Sequence, residues 1–235
     1  MTTSADEPAV ASATGPAAEA AFNEAYAFLR KAIGVIALLL PVAVVVGRGW
    51  LDSSWDLKGS ISAYYYTHSR NYLVGSLCAL AVFFLSYEYR EFGKYRADNY
   101  LSDFASVAAL GVAFFPTTRG DAPSTGPEKA IGILHYCCAV SLFASLAVFC
   151  LFFFTRSQGV QTPQKVLRNR VYRVCGAVII GCLLLCLLAL WKAPDRWHAL
   201  FWLESVMVWA FAVSWLVKGE FHGILADDRP AQGAG

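Results

Sequence analysis

Six apolar runs, each close to the length of a membrane-crossing helix, dominate the chain between residues 28 and 217. A hydrocarbon core about 30 Å thick needs roughly 20 apolar residues in a helix to cross it. Lipid offers no hydrogen bonds to the backbone, so such runs fold as helices. The predicted spans are 28–47, 71–89, 101–117, 130–154, 174–192 and 199–217.

Composition supports a membrane protein over a water-soluble one. Hydrophobic residues make up 57% of the chain and charged residues 15%, whereas soluble domains have about 45–50% and about 25%. The predicted fold class is therefore all-α, a polytopic membrane bundle of six transmembrane helices arranged as three antiparallel hairpins. The net charge of +2 gives no reason to expect a nucleic-acid partner.

Three regions follow from this assignment. Residues 1–27 are predicted to be a cytoplasmic and largely disordered tail, although 17–27 could extend the first helix. The first apolar core is too long for the h-region of a secretory signal, and Pro41 predicts a kink within it. Residues 28–217 form the transmembrane domain, and 218–235 form a cytoplasmic C-terminal tail.

The distribution of basic residues predicts the orientation. On one side of the six predicted spans lie twelve of the 19 lysines and arginines, and the predicted loop 155–173 alone carries five of them. Cytoplasmic loops are enriched in these residues. We therefore expect a multi-pass protein of a bacterial plasma membrane with both termini in the cytoplasm.

Two ionisable residues lie within the predicted spans. His135 is about one turn into the fourth span and Glu204 is at a similar depth in the sixth. Ionisable groups inside a membrane are costly and usually indicate a site. The alternative is a structural clasp in which the two side chains bond to each other and join two helices.

The predicted outer loop after the first span concentrates polar and aromatic side chains. Its candidate ligand-binding residues are Ser60, Ser62, Tyr65, His68 and Arg70. The loop could fold back against the helices and place these groups near His135 and Glu204. Alternatively, its tyrosines could anchor it among lipid headgroups, where such rings are enriched.

Motifs for catalysis or metal binding are missing from the sequence. It contains no HExxH or GxSxG pattern, and all seven cysteines lie in apolar runs, where they are read as small apolar side chains. We therefore predict no metal and no cofactor.

Three short motifs resemble a known family. Ser-Ile-Ser at 60–62 follows the first span, Phe115-Pro116 ends the third, and Leu134-His135 begins the fourth. This order resembles the bacterial DUF998 family of six-span membrane proteins, related in pattern to the Frag1/DRAM/Sfk1 group, over roughly residues 30–217. The tyrosines 64–66 and the segments 168–173 and 202–204 depart from that pattern and suggest a distinct subgroup.

The resemblance implies a fold and a class of ligand. DUF998 proteins have no settled activity, but the wider group is linked with lipid handling. The leading hypothesis is a protein that binds or senses a lipid or small amphiphile near the outer leaflet, with membrane lipids as its partners. The alternative is an intramembrane lipid hydrolase using the Ser, His and Glu residues or a metal. A small-molecule transporter ranks third, because the halves 28–117 and 130–217 show no internal repeat.

Overall fold

Helices account for the regular structure of the chain where it is described. The computed structural model describes residues 16–86, 97–119, 125–156, 162–192 and 198–219, and every regular element in them is helical. The α-helices are α1 (Pro16–Leu51), α2 (Arg70–Leu85), α3 (Ala97–Phe114), α4 (Gly126–Val148), α5 (Pro163–Lys192) and α6 (Ala199–Lys218). A 3-10 turn, Ser62–Tyr66, precedes α2, and a π-helical turn, Phe149–Phe153, extends α4. The all-α fold class is thus confirmed for the described residues.

Four stretches are long and apolar enough to cross a membrane, which makes this a membrane-embedded helical protein. They are Ala27–Leu51, Gly126–Phe153, Pro163–Leu190 and Ala199–Lys218. The second predicted span corresponds to α2, a shorter apolar helix. The third corresponds to α3, which begins at Ala97, four residues before the predicted span, and is not among the four stretches.

The prediction of a loop over 155–173 is wrong from Pro163 onward, because α5 begins there. The start signal is local: the Thr162 hydroxyl accepts a hydrogen bond from the Lys165 N–H at 3.1 Å. Threonine is a favoured N-cap and proline a favoured first helical residue. Hydropathy alone missed this start because the first turns of α5 are basic.

Helix α1 extends further than its predicted span in both directions. It begins at Pro16, within the predicted tail, and it continues through Pro41 to Leu51. One turn before Pro41, the indole N–H of Trp209 in α6 donates to the Leu38 carbonyl at 3.1 Å. The predicted tail segments 1–15 and 220–235 lie outside the described residues.

Polar residues at the start of α3 join it to α2. The hydroxyl of Ser102 donates to the Phe84 carbonyl at 2.6 Å, and that of Ser106 donates to the Ala81 carbonyl at 2.8 Å. Both serines are fully buried. Ser102 and Ser106, two polar residues within the predicted third span, are therefore contacts between helices.

Packing contacts connect each helix to the next, and α1 also packs against α6, so the contacts form a closed circuit. The segments 52–69 and 115–119 meet the first turns of α4 and α6 at one end, which we call the loop end. At the opposite, basic end, Lys165 donates to the Phe154 carbonyl at 3.1 Å. Toward that end Trp215 packs among the rings of four phenylalanines, Phe84, Phe149, Phe154 and Phe211.

Candidate functional site

The segment after α1 is attached to the first two turns of α6 through its backbone. The N–H of Phe201 donates to the Gly59 carbonyl at 2.9 Å. The N–H of Ile61 donates to Oε2 of Glu204 at 2.7 Å, and the Ser62 N–H also interacts with this carboxylate. The first N–H groups of a helix have no partner within the helix, so the Gly59 carbonyl supplies the acceptor that the Phe201 N–H needs. These paired bonds hold residues 59–62 over the start of α6.

Tyr64 fixes the 3-10 turn against the same helix. Its side chain is fully buried, and its ring centroid lies 6.1 Å from that of Phe201. The Tyr64 hydroxyl accepts a hydrogen bond from the Lys58 N–H at 3.4 Å. Burial raises the pKa of Tyr64, so the phenol stays neutral at physiological pH and acts as a packed core residue.

The 115–119 segment is held by two neighbouring residues of α4. His135 pairs through Nδ1 with the Phe115 carbonyl at 2.6 Å, which requires Nδ1 to carry a proton. The Tyr136 hydroxyl lies 3.1 Å from the hydroxyls of both Thr117 and Thr118. The 115–119 segment is thus fixed to α4 at two points.

Tyr66 and Gly132 complete the attachment. The Tyr66 hydroxyl donates to the Thr117 carbonyl at 2.6 Å, which joins the two loop segments. At Gly132, an added Cβ would lie 2.3 Å from Cγ2 of Thr118, so only glycine allows the segment to approach α4 this closely.

Two cavities lie beneath these segments and share the Glu204 carboxylate as part of their walls. The central cavity, of about 60 Å³, is lined by α1, α2, α3, α4 and α6, and its wall is apolar except for Ser62 and Glu204. The lateral cavity, of about 80 Å³, lies between α4, α5 and α6. Its lining residues are Ser60, Ser62, Thr117, His135, Tyr136, Ala139, Val140, Phe143, Leu183, Cys186, Leu187, Leu190, Leu200, Glu204 and Met207. Ala139 and Phe143 also belong to both walls.

The lateral cavity brings together four of the seven residues selected from the sequence. Ser60, Ser62, His135 and Glu204 all line it. The direct bond considered for His135 and Glu204 is not seen; the imidazole bonds to Phe115, and the carboxylate bonds to the backbone of the first loop.

The other three candidates line neither cavity. Arg70 lies over the Tyr65 ring at 4.1 Å and donates to the Tyr65 hydroxyl at 2.7 Å. His68 is largely exposed and pairs with Asp52. Tyr65 lies within the 3-10 turn that begins at Ser62, and His68 and Arg70 follow that turn. These three residues form a separate polar group at the loop end, outside both cavities.

Hydrolytic chemistry receives no geometric support from this site. Neither Ser60 nor Ser62 makes a hydrogen bond to His135 within the described residues; the Ser60 hydroxyl instead accepts from the Ala63 N–H at 3.0 Å. A nucleophilic serine requires its base within hydrogen-bond reach. No group of three His, Cys, Asp or Glu side chains in the described part of the chain is placed to hold a metal ion.

Sequence reasoning missed several residues that hold the two loop segments in place or line the lateral cavity. Tyr66, Thr117 and Tyr136 were not selected, although they join the two loop segments to α4. Gly132, three residues before His135, was a usable signal, because a glycine within an apolar helix often marks close approach of another segment. Cys186 and Met207 lie within apolar runs, where the sequence does not distinguish them from their neighbours.

Comparison with known proteins adds no family assignment. The chain matches no protein-family model, and neither curated proteins nor solved structures give a match. The resemblance to the DUF998 group therefore stays a prediction.

Proposed function

We propose that this protein is a six-span membrane protein that binds a lipid or small amphiphile in the lateral cavity, near the outer leaflet of a plasma membrane. The observation that carries the proposal is the lateral cavity itself. Its wall is largely apolar, and its few polar groups come from distant parts of the chain. Ligand pockets usually have this form, with a few placed polar groups that set orientation.

The membrane arrangement in this proposal extends the four apolar stretches to six spans in three antiparallel hairpins. Support comes from the closed circuit of contacts, in which α2 and α3 fill the positions between α1 and α4. The basic first turns of α5 favour a cytoplasmic basic end. A membrane-impermeant thiol reagent added to intact cells should label Asp56→Cys and spare Gln164→Cys; the reverse pattern would refute this orientation.

The helices α4 and α5 supply a route from the bilayer. The π-helical turn that extends α4 meets α5 closely where Leu151 faces Gly176, since a Cβ added at Gly176 would lie 2.5 Å from Cγ of Leu151. Toward the loop end, the same two helices line the lateral cavity. Beside the cavity they expose Leu187 and Leu190 of α5 and Leu134 of α4. We infer that an acyl chain lies against these side chains.

Cavity size limits how much of the ligand enters. Engineered apolar cavities of about 150 Å³ accept one benzene molecule. The lateral cavity, of about 80 Å³, therefore admits a small head group or the end of a chain. The remainder of the ligand stays between α4 and α5 at the lipid-facing surface.

A photoreactive lipid analogue tests this proposal in lipid nanodiscs. Crosslinks should concentrate on peptides of α4 and α5 near the loop end. Ala139→Leu places three carbons in the shared wall and should reduce these crosslinks several-fold. Ala144→Leu is the matched control, since Ala144 lies on the exposed face of the same helix. Equal crosslinking over all apolar faces, unchanged by Ala139→Leu, would refute the proposal.

A further inference from the structure

Glu204 carries the ionisable group at the meeting point of the two cavities, where Ser62 is the other shared polar residue. Glu204 lies in the second turn of α6 and forms part of both cavity walls. Around it are the apolar side chains of Ala139, Phe143 and Met207, all of which line the lateral cavity. An acidic group in this position is the feature that the proposed lipid-binding function leaves unexplained.

Backbone N–H groups are the only hydrogen-bond partners of this carboxylate among the described residues. Oε2 accepts from Ile61 at 2.7 Å, and the Ser62 N–H also faces the group. No lysine or arginine among the described residues pairs with the carboxylate. A carboxylate offers about four lone-pair sites to hydrogen-bond donors, so this one can still accept from a molecule in the cavity.

The neighbouring titratable groups make no ion pair with this carboxylate in the described part of the chain. His135 lines the same cavity, but its hydrogen bond through Nδ1 goes to the Phe115 carbonyl. The thiol of Cys186 and the phenol of Tyr136 also line the wall, and neither is cationic. Isolated charges in an apolar interior are costly, and a partner charge with good geometry offsets that cost. A ligand whose cationic group pairs with Glu204 would stabilise the ionised carboxylate in this cavity.

The form of the cavity selects among cations. A metal ion lacks ligands here, because no three metal-binding side chains group together in the described residues. A guanidinium is a broad planar group, whereas an ammonium is compact and suits a space of about 80 Å³. The rings of Phe143 and Tyr136 also line this space, and aromatic faces attract alkylammonium groups.

Resting on the proposed function, we propose that the ligand is a single-chain amphiphile whose protonated amine is bound by Glu204 in the lateral cavity. The amine donates to the carboxylate while Oε2 keeps its bond to Ile61. A phosphate beside the amine is disfavoured, because no lysine or arginine lines this cavity. The preferred source is therefore a free long-chain amine, and a phospholipid amine is the competing source.

Binding of three probes with the same twelve-carbon chain tests this inference. Dodecylamine, dodecanol and dodecanoate are titrated into the protein in phosphatidylcholine nanodiscs, by displacement of a photoreactive lipid analogue. We expect dodecylamine to bind at least about tenfold more tightly than dodecanol, because hydrogen bonds to charged groups are stronger than neutral ones. Dodecanoate should bind most weakly.

Variants assign the preference to one residue. Glu204→Gln keeps an oxygen for the Ile61 N–H and removes the charge, so it should abolish the preference for the amine. Glu128→Gln removes an exposed carboxylate at the same end and should leave the preference unchanged. If Glu204→Gln does not fold, the affinities of dodecylamine, dodecanol and dodecanoate for the native protein decide whether the cavity prefers an amine.

The outcomes separate this inference from the proposed function. If all three probes displace the analogue equally and Ala139→Leu blocks each of them, the cavity binds amphiphiles but the amine inference is wrong. If no probe displaces it and Ala139→Leu has no effect, the proposed function itself is wrong. Displacement by phosphatidylethanolamine as effective as that by dodecylamine would overturn the single-chain source.

Discussion

Replacing Ser102 with alanine should weaken the contact between α2 and α3. The Ser102 hydroxyl is fully buried and donates to the carbonyl of Phe84, in the last turn of α2, at 2.6 Å. Hydrogen bonds between membrane helices contribute about 0.6 kcal/mol on average and up to about 1.7 kcal/mol. We expect Ser102→Ala to lie in the upper half of this range, because the bond is short and Phe84 is at the helix end.

A second bond permits a quantitative check. Ser106→Ala should cost less, since its acceptor, the Ala81 carbonyl, lies within α2 one turn before the helix ends. The double variant should lose about 1 to 3 kcal/mol, the sum of two such bonds. That loss changes the unfolding equilibrium constant by roughly fivefold to 150-fold. Reversible unfolding in mixed detergent micelles, followed by circular dichroism, measures it.

The matched control is Ser145→Ala in α4. Ser145 is also buried, but its hydroxyl donates to the Ser141 carbonyl of its own helix at 2.8 Å. The substitution therefore breaks no contact between helices, and alanine has the higher helix propensity by a few tenths of a kcal/mol. Equal effects of Ser102→Ala and Ser145→Ala would show that the bonds between α2 and α3 do not stabilise the fold.

Two further predictions concern α4 and its attached segment. Gly111→Ala should destabilise the protein by about 1–3 kcal/mol, because the added Cβ would lie 2.4 Å from the Cys138 sulfur. The control Gly181→Ala, whose added Cβ has no atom within 4 Å, should be neutral or slightly stabilising. An equal loss of stability in both variants would contradict the close packing of α3 on α4. Tyr66→Ala should speed tryptic cleavage after Arg119 more than Tyr66→Phe does, because alanine removes both the hydrogen bond to Thr117 and the ring 4.5 Å beneath the Arg119 guanidinium. Identical cleavage rates for the native protein and both variants would show that Tyr66 does not hold this segment.

Hydropathy was sufficient to predict much of the helical fold, but it did not predict the residues at which the helices begin and end. The predicted span 199–217 agrees with α6 within one residue, because Lys218 ends the apolar run. By contrast, α5 begins eleven residues before its predicted span. A Thr-Pro cap starts a helix whether the following residues are basic or apolar. The start of a helix and the start of its apolar run can thus be different positions in this chain.

The candidate site was predicted in part, for a similar reason. His135 and Glu204 stood out because charged side chains are rare in apolar helices. Their separate partners could not be predicted, since both bonds go to backbone groups far away in sequence, at Phe115 and Ile61. Backbone groups carry no sequence signal. The position of Tyr65, His68 and Arg70 outside the cavity likewise depends on how the chain turns after Ser62.

Structural clasp and binding site were treated as alternatives for Glu204, but one carboxylate can fill both roles, since it can accept several hydrogen bonds. Oε2 binds the Ile61 N–H and holds the 59–62 segment over α6, so this part of the residue is a clasp. The same bond fixes the orientation of the carboxylate, and a ligand that meets an oriented group loses less entropy on binding. An acidic residue held in this way is better suited to recognise a cation than a flexible one. The clasp is therefore the structural basis on which the proposed amine site depends.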